Sequence, residues 1–314
     1  MDRTPHSALP LLQRSITDWF SAHARELPWR SPNRTPWGVL VSEIMLQQTP
    51  VVRVLPRWQE WLDRWPTPAA LAAEPAGEAV RAWGRLGYPR RALRLHAAAS
   101  KIVADYDGVV PGTVEELKSL PGIGDYTAAA VAAFAFGRKA TVVDTNIRRV
   151  EARLFSGTAL PAPSLSAAEM ALAEAVLPEA VSDSVDWNAA VMELGALICT
   201  ARSPQCQECP VRTECAWIAA GEPEPNYQPK GQPWAGTDRQ LRGAVMAVLR
   251  AAEAPTPWEV FFRPAVQLDQ AELSLPLKHL HALESEPSRL ENILEGLLKD
   301  GLAERSEAGL ALPR

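Results

Sequence analysis

Two carboxylates and four thiols are the residues whose types and settings suggest chemistry. Glu43 sits inside W-G-V-L-V-S-E-I-M-L-Q-Q (residues 37–48), a helical stretch apolar nearly all round and therefore interior. A carboxyl there must be paired or protonated, because desolvating a lone anion is costly. Paired, it is a buried ion pair with an arginine; protonated, it is an acid ready to donate. Asp144 follows the apolar Val142-Val143, again unfavourable company for a charge. Cys199, Cys206, Cys209 and Cys215 follow the spacing C-x6-C-x2-C-x5-C, and all the cysteines of the chain lie in that loop. Four thiolates can hold a zinc ion or a [4Fe–4S] cluster, and ligand type alone does not choose. A single compact loop without paired C-x2-C knuckles disfavours the common zinc modules.

The elements that must position these groups are legible. Thr113 can cap a short helix over 114–120, with Glu115 and Glu116 in its first turn. Pro121-Gly122-Ile123-Gly124 is a tight turn, and an alanine-rich helix follows from Asp125 to Phe136. This helix–hairpin–helix leaves amide N–H groups that suit a phosphate oxygen, so it is expected to grip a nucleic-acid backbone and present one nucleotide to Asp144. Before it, an N-terminal amphipathic helix carries Leu12, Ile16, Trp19 and Phe20 on one side. Further helices are expected over 51–65, 67–73, 77–86 and 90–104, with Trp58 and Trp61 as core. After the hairpin, helices are expected over 145–155, 166–177 and 186–198. Tyr88, on the turn Gly87-Tyr88-Pro89 beside a run of arginines, is placed to stack on a base or to pack in its own loop.

Composition narrows the classes. The 314 residues suffice for two or three domains, and the net charge of −5 advertises no global field for nucleic acid. The deficit is uneven: residues 1–216 carry 22 Lys+Arg against 23 Asp+Glu, and 217–314 carry 10 against 14. Arg81, Arg85, Arg90, Arg91 and Arg94 form a local basic run. No apolar run spans a bilayer and no start reads as a signal peptide, so a cytoplasmic, nucleoid-associated chain is expected.

LPGIGDYTA, the following VVD and the cysteine spacing together resemble the endonuclease III superfamily of helix-hairpin-helix DNA glycosylases. SEIMLQQT at 42–49 narrows this to the MutY-type adenine DNA glycosylases, and LPWR, LGYPRRALRLH, VVDTNIRRV and MELGALICT fit as well. The resemblance covers residues 8–220. It implies an all-α, two-lobed fold. Residues 29–136 would form a six-helix barrel, and residues 1–28 with 137–220 a cluster domain. The cleft between them would hold Glu43 on one side and Asp144 on the other. It implies a [4Fe–4S] cluster on the four cysteines, and a monomer acting on double-stranded DNA with adenine opposite 8-oxoguanine or guanine. Glu43 would protonate adenine at N7. Asp144 would stabilise or capture the sugar cation, with Tyr126 and Asn146 orienting the pair. Tyr126 stands where bifunctional relatives place a Schiff-base lysine, which implies base removal without strand nicking. Gln48 and Tyr88 would fill or wedge the duplex, with Thr49 and Leu86 on the opposite purine. Gly122 and Gly124 would clasp phosphate, directly or through a monovalent cation. Arg30 would join this DNA-binding set, arginines 90, 91 and 94 would add salt-dependent affinity, and Glu193 would face the adenine. A glutamine common in the family near the Trp187 helix start is Ala189 here.

The tail departs from the resemblance. Many relatives carry a MutT-like domain with a Phe-Ser-His-type loop, and no such motif is present. A proline-rich linker, 221–236, leads to a small domain over 237–314 with helices at 239–252 and 289–299. A hairpin of 301–305 with 310–312 would give it a winged-helix-like order. It is expected to contact DNA or a protein partner. His279 and His281 are expected to be exposed. The competing readings are another mismatch glycosylase or lyase of the superfamily, and a non-catalytic DNA-binding iron–sulfur regulator.

Overall fold

The computed structural model describes residues 9–227, 231, 233–263 and 271–314. The expected flexible start at residues 1–8 and Pro229 of the linker lie outside them. The chain begins with helices α1 (Leu9–His23), α2 (Pro36–Leu46), α3 (Val51–Arg64), α4 (Pro68–Ala72), α5 (Ala76–Trp83) and α6 (Arg90–Tyr106). Next come α7 (Val114–Lys118), α8 (Asp125–Phe136), α9 (Thr145–Leu154), α10 (Ala167–Val176), α11 (Val181–Leu197) and α12 (Ala216–Ala219). The tail holds α13 (Asp238–Ala251), α14 (Ser274–His281), α15 (Pro287–Lys299), β1 (Glu304–Ser306) and β2 (Gly309–Ala311). The molecule is thus predominantly helical, as expected. None of the described helices is long and apolar enough to cross a membrane.

The chain divides into two compact units. The first gathers residues up to Leu40, then Gly112–Ser119, then Ile123 to Pro229. Its core joins Leu12 and Ile16 of α1, Ala129, Ala130 and Ala133 of α8, Ile147 and Val150 of α9, and Trp187, Val191 and Leu194 of α11. Trp19 and Phe20 pack against it, so the apolar side read for the first helix is the buried one. Thr113 caps α7 in a reciprocal box with Glu116, and Ser166 does the same for α10 with Glu169. α11 starts five residues earlier than expected, at Val181 after Ala180. Pro178 marks the break, and the polar Ser182-Asp183-Ser184 run forms a first helical turn.

The second unit contains Val41–Pro111, Leu120–Gly122 and Lys230–Arg314. Trp61, Trp65 and Trp83 stack edge to face at its centre, with centroids 4.7 and 5.8 Å apart. The tail packs within this unit. Gly77 at the start of α5 donates its amide to the Pro313 carbonyl at 2.7 Å. A Cβ on Gly77 would lie 2.4 Å from that oxygen, so only glycine admits the C-terminal segment here. β1 and β2 pair antiparallel in the register Glu304↔Ala311, and Thr256 bridges to Leu310. Both expected tail helices and the hairpin are present; α14 was not anticipated. His281 is not a free surface ring: it is partly buried, with Nε2 3.0 Å from the Val260 carbonyl.

Candidate active site

In the first unit, Asp144 is the N-cap of α9. Its Oδ1 accepts from the Ile147 amide at 2.6 Å and its Oδ2 from Asn146 Nδ2 at 2.8 Å. Burial pushes its pKa above the usual carboxylate value, opposed by those two hydrogen bonds and the nearby Arg149 guanidinium. Asn146 is oriented in turn: its Oδ1 accepts from Arg149 Nη2 at 2.8 Å. Arg149 also donates to the Gly195 carbonyl at 2.6 Å and the Cys199 carbonyl at 2.7 Å. Gly195 permits this closeness, since a Cβ there would meet Asn146 Cβ at 2.7 Å. Sequence reasoning missed Arg149 and Gly195 as parts of this arrangement, although both lie in quoted motifs. Tyr126, in the first turn of α8, is partly buried against the same core.

A second acid, Glu151, lies further along α9 at 2% exposure, with Oε2 unpartnered. Burial, then the charges of Asp144 and Glu169, push its pKa up to about 8. The folded state therefore keeps a proton that the unfolded chain loses above its ordinary value of 4.5. Stability should fall as pH rises between those two values. Glu151→Gln, which has no proton to lose, is expected to gain on wild type across that window, by up to about 5 kcal/mol at its upper end. Thermal melts at pH 5 and 8 check this; an advantage independent of pH would contradict it.

Glu193 on α11 is fully buried. Its Oε1 accepts from the Arg25 amide at 3.0 Å and Arg25 Nε at 2.7 Å; its Oε2 accepts from Arg25 Nη2 at 2.7 Å and Arg30 Nη2 at 2.9 Å. Against the burial penalty, these arginines hold its pKa down at about 2. Arg25 carried no signal in the sequence, because its partner lies 168 residues away. Glu193→Gln leaves two guanidinium groups facing a neutral amide and is expected to cost about 3 kcal/mol or more at neutral pH. The depressed pKa means that this contribution is present above about pH 4.5 and is lost as pH falls towards 2. Urea melts of both proteins should therefore converge in acid.

In the second unit, Glu43 is 5% exposed on α2, with Ser42 at 0% and Ile44 at 2% beside it. The end of this helix is held by Arg91. Its Nη1 donates to the carbonyls of Ile44 at 3.1 Å and Met45 at 3.4 Å, and also to that of Gln47. Its Nη2 donates to Thr49 Oγ1 and the Gly87 carbonyl, both at 3.2 Å. The Arg91 guanidinium lies 5.2 Å from the Tyr88 ring centroid. Arg91 is thus 7% exposed and engaged inside the protein, unlike the salt-dependent DNA contact expected of it. Arg90 pairs with Asp300 at 3.4 Å, and the Arg94 stem occupies the space a Cβ on Gly122 (φ +80°) would need. Thr49 and Leu86 are both buried and joined by a 3.3 Å bond from Thr49 Oγ1 to the Leu86 carbonyl. Gln48 and Tyr88 stand out with φ of 54° and 48°, left-handed angles that cost a non-glycine residue about 1 kcal/mol. Both side chains are exposed, Tyr88 at 53%. Gly122 and Gly124 are exposed in the hairpin turn, Gly124 as the N-cap of α8.

The cysteine loop returns to the first unit. Cys199, Cys209 and Cys215 pack on its core, and Arg153 Nη1 lies 3.4 Å from Cys199 Sγ. Burial, with smaller contributions from the other thiols of the loop, pushes Cys206 and Cys209 up, the latter to about 11. Among the described residues no three ligating side chains close tightly enough to grip a single ion. The donor set itself, four thiols in one loop, fits an iron–sulfur cluster.

Residues 41–175 match the family profile "HhH-GPD superfamily base excision DNA repair protein". Residues 199–215 match the iron-sulfur binding domain of endonuclease III, so the four cysteines belong to an iron–sulfur site. An adenine DNA glycosylase of Mycobacterium tuberculosis is 46% identical over 302 residues, covering 95% of this chain and 92% of that protein. The human adenine DNA glycosylase is 39% identical over 210 residues, covering 64% of this chain and 38% of its own length. The structure of a thermostable thymine-DNA glycosylase superposes with a TM-score of 0.61 at 30% identity, covering 68% of this chain and 97% of that one. By its identity to the mycobacterial relative over nearly its whole length, this chain belongs to the adenine DNA glycosylase family of the HhH-GPD superfamily.

Proposed function

We propose that this enzyme excises adenine mispaired with 8-oxoguanine or guanine in duplex DNA, by hydrolysis and without nicking the strand. The observation that carries the reading is the Asp144 arrangement. A carboxylate whose two oxygens are fixed by Ile147 and Asn146 is preorganised to face a developing cation. Adenine is a poor leaving group unless N7 is protonated, and Glu43, buried on α2, is the donor. The departing base is then neutral, and the sugar is left as an oxocarbenium-like cation. Asp144 stabilises that cation or captures it covalently. Glu43, now ionised, takes a proton from the attacking water. Asn146 and Tyr126 orient the acids. No side-chain amine stands at Tyr126 to form an imine, so the sugar–phosphate strand survives.

The adenine must leave the stack to be reached. Gln48 and Tyr88, exposed and locally strained, are the side chains to occupy its place, with the loops of Thr49 and Leu86 facing the opposite purine. Gly122 and Gly124 offer backbone to a phosphate. Glu193 serves as the anchor of Arg25 and Arg30 rather than as a direct adenine contact, since its oxygens are already engaged. A [4Fe–4S] cluster held by Cys199, Cys206, Cys209 and Cys215 supplies a structural knot, and no step on the base passes through it. Arg149, which bonds both Asn146 and the Cys199 carbonyl, links that loop to the acid.

A thymine-directed activity is the second reading, favoured by the thymine-DNA glycosylase structure. The test is a panel of duplexes bearing A or T opposite 8-oxoguanine, G and C, read by strand cleavage after alkali. Cleavage at A opposite 8-oxoguanine or G supports the proposal. Cleavage at T alone, or equal cleavage without alkali, overturns it.

A further inference from the structure

The second unit gathers four arginines from three chain segments: Arg53 and Arg57 on α3, Arg85 in the turn after α5, and Arg250 near the end of tail helix α13. They are brought together closely. Arg53 Nη2 donates to the Arg85 carbonyl. The Arg57 guanidinium lies 3.4 Å from the place a Cβ on Gly84 would take, and Gly84 has a φ of +55°. Arg250 Nε donates to the Val80 carbonyl at 3.0 Å, and its own carbonyl accepts from Arg81. Glu60, paired with Arg57 at 2.5 Å, is the one carboxylate within ion-pair reach of any of the four among the described residues. The charges of Arg57 and Arg85, after burial, push Arg250 down to about 10. Such a concentration of like charge opposes the docking of the tail unless an anion fills it.

We propose that Arg53, Arg57, Arg85 and Arg250 form a binding site for a backbone phosphate of duplex DNA, which the tail completes through Arg250. Guanidinium groups match phosphate oxygens in pairs, and three of these side chains reach solvent. Duplex DNA is favoured over a free anion because Arg85 shares its turn with Leu86, Gly87 and the exposed Tyr88. The helix α15 is a poor alternative contact, since Glu291 and Glu295 face outward from it. The tail would then act through one half-buried arginine in a helix whose other face is core, and its net acidity is no obstacle. The site rests on the reading that this chain binds DNA, and deepens it by giving the tail a part in that binding.

The experiment is binding of an undamaged duplex, followed by fluorescence anisotropy between about 50 and 200 mM salt. It compares full-length wild type, Arg85→Gln, Arg250→Gln and Arg289→Gln. Arg85 is exposed, so its replacement leaves the fold intact; a thermal melt checks Arg250→Gln. The expected result is a log–log salt slope shallower by about one for Arg85→Gln and again for Arg250→Gln, with Arg289→Gln unchanged. Arg289 is an exposed tail arginine paired with Asp238, so it controls for net charge alone. A wild-type slope in Arg85→Gln, or an equal loss in Arg289→Gln, overturns the site while leaving the glycosylase reading standing. No binding by wild type at any salt overturns the reading on which it rests.

Discussion

Glu43→Gln is expected to reduce adenine release by about a thousandfold or more while leaving duplex affinity within a few-fold of wild type. Glutamine has nearly the same shape and can still donate and accept hydrogen bonds, so α2 loses no packing. What it lacks is a transferable proton. Without one, the base must depart as an anion, and no other group in the proposed mechanism can supply the difference. The loss should therefore appear in the single-turnover rate at saturating enzyme and not in binding. A variant that binds poorly and also reacts slowly would instead mark Glu43 as structural support for the turn at 47–49. Retained turnover would remove it from the mechanism.

Asp144→Asn is expected to lower the same rate by at least about a hundredfold with little change in melting temperature. The substitution is informative because asparagine is as good an N-cap as aspartate, so the Ile147 amide keeps its acceptor and α9 its start. Charge is what disappears. The pH profile should show the same thing from another side. Burial raises the Asp144 pKa, so wild-type rate should decline as pH falls through a value above that of an ordinary carboxylate. Protonation neutralises the group that faces the cation, which fixes the direction of that decline. The residual rate of Asp144→Asn should lack this acid limb. An unchanged limb in the variant would assign it to another group.

The fold class, the hairpin, the burial of Glu43 and the cysteine loop were legible because their signals are local. A carboxylate in an apolar helix, a glycine turn between two helices and four cysteines in one loop need no knowledge of distant contacts. The arrangements that aim these groups were not legible. Arg25 reaches Glu193 across the chain, and Arg149 joins Asn146 to Gly195 and Cys199; a sequence shows charges but not their directions. Arg91 illustrates the same limit. In a run of arginines it reads as one more solvated charge, yet it lies against the end of α2 and collects carbonyls there. The tail was read as helices and a hairpin from periodicity. Its seat on Gly77 depends on a missing side chain, and helix α14, short and carrying Pro276, has too little pattern to announce itself.

One extruded adenine nucleoside is expected to meet an acid at its base and a carboxylate at its sugar. A crystal structure of the protein with duplex DNA carrying a non-hydrolysable adenosine analogue opposite 8-oxoguanine decides this. The Glu43 carboxyl is expected within about 3 Å of adenine N7, directly or through one water, with Asp144 facing the anomeric carbon across the sugar. An extruded adenine bound with either carboxyl beyond that reach, or held by other acids, would contradict it.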